Sequence, residues 1–179
     1  MTKKNVIQRV NYNEHPWALD EIVTLQGFMP EYLREDPFRI KENLEGERNI
    51  NMLLTGADGT VLCYIFASPQ NGRIVEDFAD EVPCVDIDTN RYYIDQIVVK
   101  EGCRKGFLFA DLLFATFREA NFMGFFDFSA HALCSNRFDR IIERVLRDRL
   151  TKKIPTVLER YGGERYMYME AHVDLLSSS

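Results

Sequence analysis

The chain has 179 residues, 46% of them hydrophobic and 28% charged, with a formal net charge of −6. That length supports one domain with a sizeable core, and no run of about 18 apolar residues is present to span a membrane. The acidic balance argues against generic nucleic-acid binding.

The basic start MTKKNVIQRV lacks the apolar stretch of a secretory signal. The four cysteines (Cys63, Cys84, Cys103 and Cys134) form no CxxC pair. Both features predict a cytoplasmic protein with free thiols.

In chain order, NVIQRVNY from Asn5 reads as a short first strand. Pro16 suits the first turn of a helix with Leu19, Ile22 and Val23 on one face, which Pro30 ends or kinks. Asp36-Pro37 reads as an N-cap followed by a first-turn proline, and Gly46 as the stop of a second helix. INMLLT and TVLCYIFA flank Gly56-Ala57-Asp58-Gly59, a hairpin signal. The polar segment 69–90 reads as a long surface loop.

YYIDQIVV from Tyr92 predicts a central strand, and 107–121 a helix apolar nearly all round and therefore buried. FFDFSAHAL is a further strand. Asn136 is placed to cap an amphipathic helix with Phe138, Ile141, Ile142, Val145 and Leu146 inward. Pro155 predicts another helical turn through Val157 and Leu158, ending at Gly162-Gly163. In the last strand Tyr166, Tyr168, Glu170, His172 and Asp174 share one face, and Met167, Met169, Ala171 and Val173 the other. This order predicts an α+β (mixed α/β) domain over 1–176, with helices on both faces of a central mixed, twisted sheet and a loose tail at 177–179.

Two charge runs stand out. Glu76, Asp77, Asp80, Glu81, Asp86 and Asp88 are acidic, and Arg137, Arg140, Arg144, Arg147, Arg149, Lys152 and Lys153 are basic. Solvated faces explain both. A cationic substrate near the first and an anion near the second is the sharper reading. His131 and His172 lack ligand spacing, and Asp86-Ile87-Asp88 is too short to count as a metal motif, so no metal is expected.

Three stretches carry a resemblance. VVKEGCRKGFLFADLL runs from a strand through a basic turn into a helix, AHALCSN ends a strand on Asn136, and LERYGGERYMYMEAHVDL joins a glycine turn to the final strand. Together with the element order they resemble the GCN5-related N-acetyltransferase superfamily, as a divergent member. Arg104 follows Val99 at the family's distance, but Lys105, Phe107 and Phe109 stand where the family prefers glycine, and Gly106 is one place off. Small residues in such a turn let backbone N–H groups approach a pyrophosphate at the helix N-terminus. A phenylalanine keeps its N–H, and Arg104 and Lys105 add direct charge.

The resemblance implies an acyl-CoA-dependent N-acyltransferase, with acetyl-CoA or another acyl-CoA as co-substrate and a primary amine attacking directly. By that resemblance Ile97, Val98 and Val99 give backbone contacts to the thioester. Arg104, Lys105, Gly106, Phe107 and Leu108 face the pyrophosphate, and Asn136 bonds the pantetheine arm or simply caps its helix. Asp95 is the candidate general base, with an ion-paired strand residue as the alternative. The family's acidic tyrosine falls on Leu158, which cannot donate a proton. Tyr161 and Tyr166 are the nearby phenols, with Cys134 a further candidate.

The acceptor is a small-molecule amine or a protein amine. The acidic loop, together with the Tyr166 to Asp174 face, would suit a cationic one; otherwise that face is the wet side of an edge strand. Edge-to-edge pairing of the Cys63-Tyr64 hairpin strand allows a homodimer without selecting it. A catalytically inactive domain that binds a partner protein is the competing reading, and fatty-acyl or amino-acyl transfer a third.

Overall fold

The computed structural model describes residues 4–70, 90–103, 108–135, 137–158 and 163–177. Within them the strands are β1 (Val6–Arg9), β2 (Ile50–Thr55), β3 (Val61–Pro69), β4 (Arg91–Val99), β5 (Asp127–Leu133), β6 (Leu150–Leu158) and β7 (Glu164–His172). The α-helices are α1 (Trp17–Gln26), α2 (Pro37–Glu45), α3 (Leu108–Phe122) and α4 (Phe138–Leu146). The fold is mixed α/β, with one seven-stranded sheet in the order β1-β2-β3-β4-β5-β7-β6. β4 and β5 pair in parallel, whereas β1/β2, β2/β3, β5/β7 and β6/β7 are antiparallel.

The chain divides into two compact units, Met1–Ala67 with Asp95–Glu119 and Ser68–Ile94 with Ala120–Ser179. In the first, Asp36 caps α2 as its sequence predicts: the carboxylate accepts the Phe38 N–H at 2.8 Å, and Pro37 opens the helix. The β2–β3 hairpin turns at Gly59 with φ +90, where a side chain would be strained. Asp58 accepts the Thr60 N–H at 3.0 Å and the Thr60 hydroxyl at 2.9 Å, closing that turn. Ile22 and Leu25 of α1, Ile40 and Leu44 of α2, and Leu53, Tyr64, Phe66 and Val98 of the strands form one apolar core. Each fully buried aliphatic side chain there stabilises the fold by about 1.5–3 kcal/mol.

α3 is less uniformly enclosed than its composition predicts. Phe109, Leu112, Leu113, Thr116 and Phe117 are buried, but Asp111, Arg118 and Phe122 are exposed. Spacings of seven and four put those three on one stripe.

In the second unit β7 lies between β5 and β6, so it is not an edge strand. Its polar residues Tyr166, Tyr168 and Glu170 are accordingly buried, and His172 is the exposed one. The helical turn expected from Pro155 is instead part of β6, with Pro155 opposite Met167 and Thr156 opposite Tyr166. β6 is the last strand in the sheet order, where a residue without an N–H is tolerated. Its exposure alternates, with Thr151, Lys153, Pro155 and Val157 outward. Asn121 fastens the end of α3: its amide donates to Phe125 O at 2.8 Å and Val173 O at 2.9 Å, and its oxygen accepts Leu175 N–H at 2.9 Å.

Candidate active site

Four side-chain amides occupy apolar-phase positions in the first unit. Gln26 follows buried Leu25 on α1, Asn43 lies between Ile40 and Leu44 on α2, Asn51 is on β2, and Gln96 is on β4; all four are buried. A buried amide must find partners, and these find one another and Glu35. Gln26 Nε2 donates to Gln96 Oε1 at 3.0 Å. Gln26 Oε1 accepts the Glu35 backbone N–H at 2.9 Å, and Asn43 Nδ2 donates to Glu35 Oε2 at 3.1 Å. Asn51 Nδ2 donates to Asn43 O at 3.0 Å, and the Tyr64 hydroxyl donates to Asn51 Oδ1 at 2.9 Å.

Glu35 is thus held by backbone and carboxylate in surroundings that disfavour charge. Its pKa is pushed up to about 7, first by burial and then by the negative charge of Asp95, against the opposing pull of Arg39 and the Asn43 bond. Burial raises the Tyr64 hydroxyl well above its usual range, with Glu35 and Asp95 adding to it.

The expected site residues fall as follows. Asp95 is exposed on β4. On the same strand Val98 is buried, with Ile97 and Val99 half-buried. Leu108 opens α3 and is half-buried. Tyr166 is buried on β7, opposite Leu133 of β5 and Thr156 of β6. Cys134 of the second unit donates its N–H to Arg165 O at 2.9 Å, and its thiol is raised in pKa by burial and by Asp139. Arg104, Lys105, Gly106, Phe107, Asn136 and Tyr161, and all six residues of the acidic run, lie outside the described residues.

The parallel ladder pairs Arg91 to Ile94 with Asp127 to Ala130. β4 then continues to Val99. The following turn has the Lys100 N–H on Leu62 O at 2.9 Å, the Cys103 N–H on Lys100 O at 3.1 Å, and Gly102 at φ +85. The next described residue, Leu108, begins a helix of 15 residues. A strand end, a glycine turn and a helix N-terminus are parts that can receive a phosphate group.

The second unit holds another buried polar group. Glu170 Oε1 accepts from Arg91 Nη1 at 2.9 Å, from the Tyr168 hydroxyl at 2.9 Å and from Lys152 Nζ at 3.5 Å. Tyr93 Oη and His131 Nδ1 are 2.8 Å apart, and the Ser129 hydroxyl donates to Gln70 Oε1 at 2.7 Å. Burial lowers the His131 pKa to about 4, so the imidazole is neutral at ordinary pH. The Tyr168 hydroxyl is pushed up to about 12 by burial and then by its bond to Glu170. His131 is therefore a largely enclosed, neutral histidine.

No protein-family model and no curated protein sequence matches the chain. Solved structures do. An aminoglycoside 6'-acetyltransferase type Ii superposes with a TM-score of 0.68 at 14% identity, over 94% of this chain and 97% of that one. A Salmonella typhimurium structure described as an acetyltransferase with its cofactor acetyl-CoA gives 0.67 at 12% identity, over 97% and 96%. The ribosomal-protein-S18-alanine N-acetyltransferase of Escherichia coli gives 0.65 at 14% identity, over 98% and 97%. The chain has the GCN5-related N-acetyltransferase fold. In this acetyltransferase fold β4, the glycine turn and α3 are the elements on which the VVKEGCRKGFLFADLL resemblance rested.

Sequence pattern pointed to Asp95 and passed over Glu35. The legible signal lay in the partners: Gln26, Asn43 and Gln96 each interrupt an apolar phase.

Proposed function

We propose that the protein is an acyl-CoA-dependent N-acyltransferase, most simply one that moves an acetyl group from acetyl-CoA to a primary amine on a small molecule or a protein. The observation that carries this reading is β4 running beyond its parallel ladder into a Gly102 turn and α3. The Salmonella neighbour, solved with acetyl-CoA, supports the co-substrate. Ile97, Val98 and Val99 would contact the acyl end through their backbone, and Arg104, Lys105, Gly106, Phe107 and Leu108 the pyrophosphate. Asn136 would meet the connecting arm. When bound, the co-substrate supplies an activated acyl thioester. The protein must orient the amine and accept its proton, and the carboxylate of Asp95 sits on the strand suited to that. Tyr166, with Tyr161, is the phenol proposed to protonate the departing sulfur.

Calorimetric titration with acetyl-CoA, and with CoA, tests the reading. Micromolar binding that Arg104→Glu abolishes is expected. No heat and no thermal stabilisation at millimolar ligand would overturn it. The described residues contain no helix long and apolar enough to cross a membrane.

A further inference from the structure

The basic run of the second unit is carried by α4 and its two ends. Ile142 and Leu146 turn one side of this helix into the core, while Arg137, Arg140, Arg144 and Arg147 are all exposed. The four follow one another at steps of three, four and three, the spacing of a single helix face. At about 1.5 Å of rise per residue the row is about 15 Å long. Among the described residues none of the four forms an ion pair. Glu143 of the same helix pairs instead with Lys153 of β6. The backbone at both ends of the row is held against its own preference. Arg137 has φ +60 and Arg147 φ +43, the two positive-φ residues other than glycine among the described residues. Such positions favour glycine or asparagine. An arginine there costs stability that packing does not return, because both side chains are exposed and Arg147 Nε reaches only the Arg144 carbonyl, at 3.3 Å.

We propose that this arginine row is a docking surface for an extended, acidic peptide segment of a partner protein. Guanidinium groups grip carboxylates with two parallel hydrogen bonds, and about five residues of extended chain at about 3.3 Å each cover the row. Alternate residues of such a segment point the same way, so acids at every second position meet the row about every 7 Å. The row is one side chain wide, it is bordered on its own helix by Asp139 and Glu143, and the chain carries −6 overall. A nucleic-acid duplex or an anionic bilayer spreads its charge beyond so narrow a row and meets those acids. A bilayer also finds nothing apolar to take up there, since Ile142 and Leu146 are buried. The surface stands whether or not the protein transfers an acyl group.

The test uses the full-length protein and a fluorescein-labelled octapeptide of alternating glutamate and serine, read by fluorescence anisotropy. Binding should weaken about tenfold or more between about 50 and 300 mM salt, and about tenfold or more in Arg140→Glu/Arg144→Glu. The neutral pair Arg140→Gln/Arg144→Gln gives the same reading should the charge reversal fail to fold. The same peptide with glutamine for glutamate should not bind. Arg147→Gly should melt no lower than the wild type yet bind the peptide less tightly, because it relieves the backbone and removes a guanidinium. A peptide that does not bind, or whose binding neither double variant weakens, overturns the docking surface. Three results overturn the choice of partner instead. One is a single-stranded uridine dodecamer or a phosphatidylserine vesicle that binds through the same arginines more tightly than the peptide. The others are displacement of the peptide by acetyl-CoA, and a wild-type dimer that the double variants dissolve.

Discussion

The Gln26 side chain donates to Gln96 Oε1 at 3.0 Å, joining α1 to β4 across 70 residues of sequence. The same amide accepts the Glu35 N–H with its oxygen, so one glutamine spans a helix, a strand and the loop before α2.

Removing that glutamine should be costly. Gln26→Leu strands the Gln96 oxygen and the Glu35 N–H in a buried setting, at about 1–3 kcal/mol for each group left unsatisfied. The double change Gln26→Leu/Gln96→Leu should cost less than the two single changes summed, because both ends of the bond become apolar. Urea unfolding of the three variants reads this directly. Strict additivity would mean the bond contributes nothing.

Glu35 makes stability depend on pH in a defined direction. Its folded pKa of about 7 exceeds the ordinary 4.5. Below 4.5 both folded and unfolded chains carry the proton and nothing changes. Between those values the unfolded chain ionises first, so wild-type stability falls, and above 7 the loss is complete. Glu35→Gln should therefore melt higher than wild type at pH 8, by at most about 3 kcal/mol, and gain nothing at pH 4. A melting-temperature difference that is flat across this range would contradict the raised pKa.

His131 works in the opposite direction. Its folded pKa of about 4 lies below the ordinary 6.5. Its contribution to stability is therefore intact above pH 6.5 and is lost as pH falls toward 4. Nitrogen NMR should find the ring neutral at pH 5, with Nδ1 still paired to the Tyr93 hydroxyl. A ring that protonates near pH 6.5 would mean the site is wetter than its packing implies.

Glu170 receives Arg91, Lys152 and Tyr168 together. Glu170→Ala leaves the Arg91 guanidinium, which is only 15% exposed, without its carboxylate. A loss of about 3 kcal/mol is expected. Arg91→Met in the same background should recover part of it, since a largely buried charge then disappears. Denaturant midpoints for the single and double variants decide the matter, and absence of any recovery would show that the cost has another origin.

Local chemistry was legible in the sequence wherever a few adjacent residues decide the geometry. Asp36-Pro37 states a helix start, Asp58-Gly59 states a hairpin, and the YYIDQIVV run states a central strand. Pro155 misled because a proline reads alike at a helix start and on an edge strand, and only the strand order separates the two. The wet-edge alternative for the last strand failed for the same reason: alternation reveals two faces, not how many neighbours cover them. Arg91 and Glu170 are 79 positions apart, so no local pattern announces their pairing. Glu35 was hidden because nothing in its own neighbourhood marks a carboxyl as buried; the fold brings Gln26, Asn43 and Asp95 to it.

The two rims of the sheet are unequally defended against self-association. β6 presents Lys153 and Pro155 outward, a charge and a missing N–H that both discourage an incoming strand. β1 presents Val6 and Ile7 at 53% and 37% exposure, with no proline and its charge, Arg9, at the far end of the strand. Crowded or partly unfolded molecules should therefore begin to zip together at β1, and a lysine at position 7 should slow fibre growth more than any charge added to β6.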